Sequence, residues 1–237
     1  MKHFALITFL FPFSLLAAAP SSQSFRVDFT VHTPNSKSAS YKGFEDIEIK
    51  DGFLIKNSSY FDLKGRLVLE EKVKFLNKSL KLQSYSYKNK VSGVETKALL
   101  VNGDKLKVNH REVDKPPQEG EIQWTERSIH GKSFHELILK NWNSLKKGTP
   151  LKFDLVLPIR FTSVSFALTL EKKETREGIP FYIYNLAPDS FFIRQFVPEM
   201  SFTYKENKNP RIVSFKGPTA LPINGETGKT VVVKFSY

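Results

Sequence analysis

Residues 133–148 read SFHELILKNWNSLKKG and carry the clearest helical pattern in a chain that otherwise alternates like β-structure. Ser133 and Glu136 have the spacing of a capping box, in which each side chain bonds a free backbone N–H group. Lys146, Lys147 and Gly148 are typical of a helix C-terminus. The apolar side chains recur at helical spacing: Phe134, Leu137, Ile138, Trp142 and Leu145. We therefore predict one amphipathic helix over residues 134–147.

Strand signals surround this helix on both sides. Apolar and polar residues alternate over 25–32, 163–170 and 231–236, which is typical of half-buried strands. Turn residues separate such segments, in KDG at 50–52, LKG at 63–65, VNGD at 101–104 and REG at 176–178. A helix of this length is marginal alone in water, so it must pack on the sheet. The predicted fold is mainly β, a curved antiparallel meander or half-barrel packed on one amphipathic helix.

The segment from Val113 to Gly131 interrupts the strand pattern. It contains Pro116, Pro117, Gly120 and mixed charges, with Ile122 and Trp124 as its main apolar anchors. We predict a crossover near 113–132 within a single β-rich domain spanning 25–237.

The first 24 residues have the layout of a secretory signal peptide: a short basic start, an apolar run and small residues. We predict cleavage between residues 19 and 24 and a mature chain without a transmembrane segment, since no other stretch approaches membrane length. The chain has no cysteine. An exported domain of this size without disulfides is more typical of the bacterial periplasm than of a eukaryotic secretory route.

The net charge of +12 favours contact with acidic partners. A lipid or an acidic envelope component is the predicted partner, because export argues against nucleic acid. The Lys and Arg residues are scattered, so a solvated outer sheet face explains them as well. We expect a monomer.

No motif assembles a catalytic or metal site. His135 begins HELIL, but Leu139 stands where a zinc-protease helix needs its second histidine. NGETGKT at 224–230 lacks the first glycine of a phosphate-binding loop and precedes a strand. Carboxylates such as Glu70, Glu71, Asp154 and Glu171 are expected mostly on solvent-facing positions, although the sequence leaves open that two of them meet in space. The sequence thus predicts a protein that is not an enzyme, with no cofactor and no metal.

Two stretches, FDLKGRLVLEEKVKF at 61–75 and FHELILKNWNSLKKGTPLKFDLVLPIRFTSVSFAL at 134–168, resemble an uncharacterised family of secreted proteobacterial proteins. The matching positions are Phe134, Trp142, Leu145, Gly148, Phe153, Pro158 and Arg160. The closing phrase NPRIVSFKGP at 209–218 is similar to the end of periplasmic meander proteins, including the domain-of-unknown-function group 3108 and the lipoprotein carriers LolA and LolB. The resemblance implies a periplasmic β-meander and no mechanism.

Two function hypotheses remain. In the first, a lipophilic or anionic amphiphilic ligand occupies a cleft under the helix, lined by Phe134, Ile138, Trp142, Phe153, Arg160, Phe166, Tyr182 and Tyr184. Arg160 follows Pro158, and we expect it to pair with Asp154 rather than with a ligand phosphate. In the alternative, the core is filled and the protein is an envelope interaction or structural protein. The stretch PDSFFIRQFVPEM at 188–200 is then either an exposed lip or a short buried helical turn.

Overall fold

The computed structural model describes residues 22–237. Most of the predicted signal sequence, residues 1–24, therefore lies outside the described residues. None of the helices between residues 22 and 237 is long and apolar enough to cross a bilayer. The strands are β1 (Gln23–His32), β2 (Tyr41–Lys50), β3 (Phe53–Asp62), β4 (Leu67–Leu76), β5 (Leu82–Asn89), β6 (Glu95–Val101), β7 (Lys105–Arg111), β8 (Gln118–Gln123), β9 (Ser128–His130), β10 (Leu151–Leu157), β11 (Thr162–Arg176), β12 (Ile179–Pro188), β13 (Met200–Lys205), β14 (Arg211–Pro218) and β15 (Thr230–Ser236). The α-helices are α1 (Phe134–Lys140), α2 (Trp142–Lys146) and α3 (Phe191–Arg194), with 3-10 turns at Gly131–Ser133 and Pro158–Arg160.

All fifteen strands belong to one sheet, which confirms the predicted mainly β fold. Consecutive strands pair in antiparallel fashion from β1 to β8 and from β10 to β15, β1 also pairs antiparallel with β15, and β9 runs parallel to β10 at one edge. The two edge strands, β8 and β9, are separated by only the residues 124–127.

This short connection forces the sheet to curl. Fifteen flat strands would place their edges roughly 65 Å apart at about 4.8 Å per strand. The chain from Gln123 to Ser128 reaches at most about 18 Å. The two edges must therefore come close together, although no hydrogen-bonded ladder joins β8 to β9 in the described sheet.

A contact between the two edges of the sheet shows the same closure. Phe161 follows β10 and reaches across to β7 and β8, where its ring lies 6.1 Å from that of His110. A Cβ placed on Gly120 of β8 would lie 2.5 Å from the Phe161 ring. Gly120 thus permits the close approach, because any larger residue would collide with the ring.

The predicted crossover near 113–132 needs correction. It is not a structureless connection, because it contains both edge strands, β8 and β9. Its prolines precede β8, where an edge strand tolerates a missing N–H group. Two strands of six and three residues gave too weak an alternation to be recognised in the sequence.

The predicted helix is present but interrupted. Asn141 lies between α1 and α2, and its amide donates to the Leu137 carbonyl oxygen at 2.9 Å, a local bond that competes with the helical pattern. The predicted capping box is wrong. Ser133 Oγ donates to the His130 carbonyl oxygen, and the Glu136 carboxylate binds Lys56, because a buried ammonium is a stronger donor than a backbone N–H group.

The curled sheet has two open ends, which we call the helix mouth and the loop mouth. The helical segment reaches the helix mouth, where Lys140 Nζ donates to the Lys78 carbonyl oxygen at 2.8 Å and Lys146 pairs with Glu206. Residues 219–229 cross the loop mouth and bury Leu221 and Ile223 in the core. Both segments thus bury side chains inside the curled sheet, Leu221 and Ile223 from the loop mouth and Ile138 and Leu145 from the helical segment.

Candidate functional site

Seven of the eight predicted lining residues lie together under the helical segment, and one does not. Arg160 is exposed in the 3-10 turn at the loop mouth. The other seven belong to or pack against one apolar cluster beneath the helical segment. Of these, Ile138, Phe153, Phe166, Tyr182 and Tyr184 are buried, and Phe134 and Trp142 are partly buried.

The expected pair between Arg160 and Asp154 is wrong. Asp154 accepts hydrogen bonds from Ser165 Oγ at 2.6 Å and from Arg127 at 3.5 Å. Asp154 lies within β10, opposite Ser128 of the neighbouring edge strand, so Arg127 is adjacent to it. Arg160 lies beyond the end of β10, in the 3-10 turn, and is exposed.

Aromatic side chains fill the space under α2. The Trp142 ring lies 5.3 Å from Tyr182, 6.1 Å from Tyr184 and 5.7 Å from Tyr204, between ring centroids. The Tyr182 hydroxyl donates a hydrogen bond to the Glu206 carboxylate, and the Tyr204 hydroxyl is hydrogen-bonded to His135 Nδ1. The Tyr184 hydroxyl is buried and has no hydrogen-bond partner among the described residues. Burial raises the pKa of this hydroxyl above its usual value, so it stays protonated.

A second site, which the sequence did not suggest, lies between the sheet and the start of the helical segment. It contains Glu45, Lys56, Glu71, Lys132 and Glu136, and we call it the interior ion cluster. Strand register brings part of it together, because Glu45 is opposite Ser58 and Ser58 is opposite Glu71 across β2, β3 and β4. The three side chains form one row on the inner face of the sheet.

Lys132 enters this row from the 3-10 turn after β9. Its Nζ lies 3.2 Å from Glu45, 2.7 Å from Ser58 Oγ and 3.1 Å from Glu71. Beside it, Lys56 Nζ donates to Glu136 and to the Lys132 carbonyl oxygen, each at 2.9 Å. The two ammonium groups thus tie the helical segment to three strands.

The charges of this cluster determine each other's protonation. Burial by itself would raise the pKa of Glu45, but Lys132 and Lys56 overcome it and lower that pKa to about 2. Burial would likewise lower the pKa of Lys132, yet Glu71, Tyr60 and Glu45 raise it well above its usual value. Burial and the nearby Lys132 lower the pKa of His130 to about 3. The carboxylate and ammonium are therefore ionised and His130 is neutral near pH 7.

The expectation that Glu71 faces solvent is wrong. Glu71 alternates in phase with Leu69, Val73 and Phe75, which are all buried, so its side chain must point inward. Lys56 has the same phase as Leu54 in β3. A charged residue on the apolar phase of a strand was the sequence signal for this cluster.

A third feature is exposed at the loop mouth. Residues 189–199, which we call the lip, connect β12 to β13 around the single turn of α3. Phe191, Phe192 and Phe196 are 68%, 75% and 84% exposed. Arg194 fastens the lip by donating to the Pro188 carbonyl oxygen at 2.6 Å. The sequence left two alternatives for this stretch, an exposed lip or a short buried helical turn, and the structure shows the exposed lip.

Comparisons with known proteins show a similarity of fold alone. No family model matches the chain, and no curated protein matches it. A crystal structure of a β-barrel-like protein of the domain-of-unknown-function group 1849 from Brucella abortus aligns with a TM-score of 0.50 and 10% identity, over 92% of this chain and 96% of the other. A protein of group 1329 from Desulfovibrio piger aligns over 92% and 84% of the two chains, with 11% identity and a TM-score of 0.23. The chain thus has a β-barrel-like fold similar to the first of these.

Proposed function

We propose that the chain is a non-enzymatic, exported protein of the periplasm that works by contacting another component of the cell envelope. The lip carries this proposal. Monomeric proteins rarely expose large contiguous apolar patches, so we take the three exposed phenylalanine rings on one eleven-residue connection as an interaction surface. The signal-like residues 1–24 support export, and the resemblance to secreted meander proteins supports the same compartment.

The interior supports an interaction role rather than a ligand cleft. The aromatic rings under α2 contact one another, and the ion cluster pairs its own charges. Both features stabilise the fold and leave the surface as the place of contact. The alternative hypothesis, an interaction protein with a filled core, is therefore the one we favour.

A photo-cross-linking residue at position 192 tests this function in cells. The lip should yield a covalent adduct with an envelope component, protein or lipid. The matched control carries the same residue at position 76, because Leu76 is also partly exposed but lies at the helix mouth. Equal yields at the two positions, or no adduct at position 192, would contradict the proposal.

A second candidate function is the binding of an amphiphile under the helical segment. The unpartnered Tyr184 hydroxyl favours it, since a buried polar group without a hydrogen bond is costly and a ligand head group would satisfy it. Such a ligand must displace Trp142, whose ring lies 6.1 Å from that of Tyr184 and which is only partly buried.

Titration with a lysophospholipid tests this candidate. The emission of Trp142 should shift in a variant with Trp124→Phe, and Tyr184→Phe should weaken the titration. Native mass spectrometry of protein purified without detergent should also show a bound lipid. A flat titration together with a bare mass would remove this candidate and leave the lip as the contact site.

A further inference from the structure

Exposed apolar side chains in turns and connections all lie at the loop mouth. Antiparallel pairing places the connections after β3, β5, β7 and β12 at the same end of the sheet. In the first three of these, Leu63, Val91 and Val113 are 62%, 57% and 58% exposed. The fourth is the lip. Within residues 22–237, the other large exposed apolar side chains lie in strands, in α1 or at the C-terminus.

The opposite end of the sheet has different turns. The connections at the helix mouth are built from polar and glycine residues, as in Asp51–Gly52, 102–104, Glu177–Gly178 and 206–209. Leu80, which does lie in a turn there, is buried. The asymmetry therefore follows the two ends of the sheet rather than the turns in general.

Each apolar tip at the loop mouth has a cation within two residues. The pairs are Leu63 with Lys64, Val91 with Lys90, Val113 with Lys115, and Ile193 with Arg194. Lys90 and Lys115 form ion pairs with Glu70 and Glu112, but these pairs are exposed. Exposed pairs contribute little and can exchange partners. The connection that carries Val91 also approaches Val113, because a Cβ on Gly93 would lie 2.2 Å from the Val113 side chain.

We propose that the loop mouth docks on an anionic lipid bilayer surface, with the lip and the three turn tips entering the interface. This rests on the proposed function and assigns the partner of the lip to a lipid class. In interfacial anchoring, apolar side chains enter the acyl boundary of the bilayer, and flanking Lys and Arg residues meet the anionic head groups. The net charge of +12 favours the same surface.

Flotation with lipid vesicles tests the proposal on the mature protein. We expect binding to vesicles containing about one third phosphatidylglycerol, weaker binding to phosphatidylcholine alone, and a loss of binding as salt rises to about 0.5 M. The triple variant L63S/V91S/V113S should bind at least fivefold less. The matched control L76S/L99S/L139S removes three exposed leucines elsewhere and should bind like the parent protein.

A second measurement does not depend on how the triple variant folds. The chain has no cysteine, so V91C and K78C each place one environment-sensitive dye, at the loop mouth and the helix mouth. The dye at position 91 should shift to the blue on adding anionic vesicles, and the dye at position 78 should not.

The outcomes separate the two proposals. No binding to anionic vesicles, equal losses in both triple variants, or equal dye shifts would overturn the bilayer assignment. In that case a cross-link from position 192 to an envelope protein would still support the lip as an interaction surface. Absence of both vesicle binding and cross-links would overturn both.

Discussion

Oxygen atoms from three strands take the place of water around the buried ammonium group of Lys132. Glu45, Ser58, Tyr60 and Glu71 lie within 3.4 Å of its Nζ. Desolvating such charges is expensive, and the pairing offsets this cost only while every partner is present. The cluster is therefore sensitive to the loss of one member.

We expect Lys132→Met to lower the free energy of unfolding by about 3 to 5 kcal/mol, because Glu71 loses its counter-ion and Glu45 keeps only Lys56, at 3.7 Å, while both are still surrounded by protein. Urea unfolding monitored by circular dichroism measures this change. Lys107→Met, on an exposed position of β7, is the control and should change stability by no more than about 0.5 kcal/mol. A similar result for both variants would mean that water reaches Lys132 freely.

His130 makes stability depend on pH. Its pKa is about 3 in the folded protein against an ordinary 6.5, so below pH 6.5 the unfolded chain takes up a proton that the folded chain does not. Stability should therefore fall as the pH drops from 6.5 toward 3, by about 2 kcal/mol between pH 7 and pH 5. Glu45 adds a further loss as the pH falls from 4.5 toward 2.

Urea midpoints measured from pH 7 to pH 5 check this dependence. His130→Asn removes the titrating ring but keeps an acceptor for the Lys132 N–H group, which His130 Nδ1 accepts at 3.3 Å. The variant should have a flatter profile over this range. An unchanged slope would assign the acid sensitivity to other groups.

At the scale of elements, the helical segment is fixed from two sides. Ile138 and Leu145 are fully buried against the sheet, and the ion cluster holds the first turn. The break at Asn141 divides the segment into α1 and α2, and each keeps a buried residue of the apolar face predicted from the sequence. The segment is thus part of the core.

Ile138→Ala should cost about 2 to 5 kcal/mol, since it removes a side chain with no exposed surface and leaves a cavity. Leu139→Ala, one residue further along α1, is the control and should cost less than about 1 kcal/mol because its side chain is 37% exposed. Denaturant unfolding gives both values. Equal costs would show that α1 has another orientation in solution.

At the scale of the whole molecule, the four-residue connection between the edge strands brings the two edges of the sheet together. The contact between Gly120 and Phe161 lies at this junction. It couples the first half of the chain to the second, and one apolar cluster does the same, since it joins Val156, Leu221 and Val231 to residues of β1 to β8.

Gly120→Ala should lower stability by about 1 to 3 kcal/mol, because its new methyl group would lie 2.5 Å from the Phe161 ring. In a Phe161→Ala background the same change should cost at least about 1 kcal/mol less. A double-mutant cycle by urea unfolding measures this coupling. Additive costs would mean that the two edges are apart in solution.

The sequence by itself determined the strand-rich class, the turns near residues 51, 64, 103 and 177, and the apolar face of the helix. These are local properties, since alternation and helical spacing report which side of an element is buried. The seven aromatic and aliphatic side chains predicted to line one space do lie in one cluster for this reason. Periodicity failed for the short edge strands β8 and β9, which are too brief to show it.

Only the tertiary structure decided which inward side chains meet. Glu45, Lys56 and Glu71 belong to three strands, and Lys132 comes from a turn more than sixty residues beyond the last of them. Strand register and the curl of the sheet bring them within hydrogen-bonding distance. The same long-range geometry gathers Leu63, Val91, Val113 and the lip at one mouth. Local patterns specify a face, whereas contacts between distant strands specify the partner.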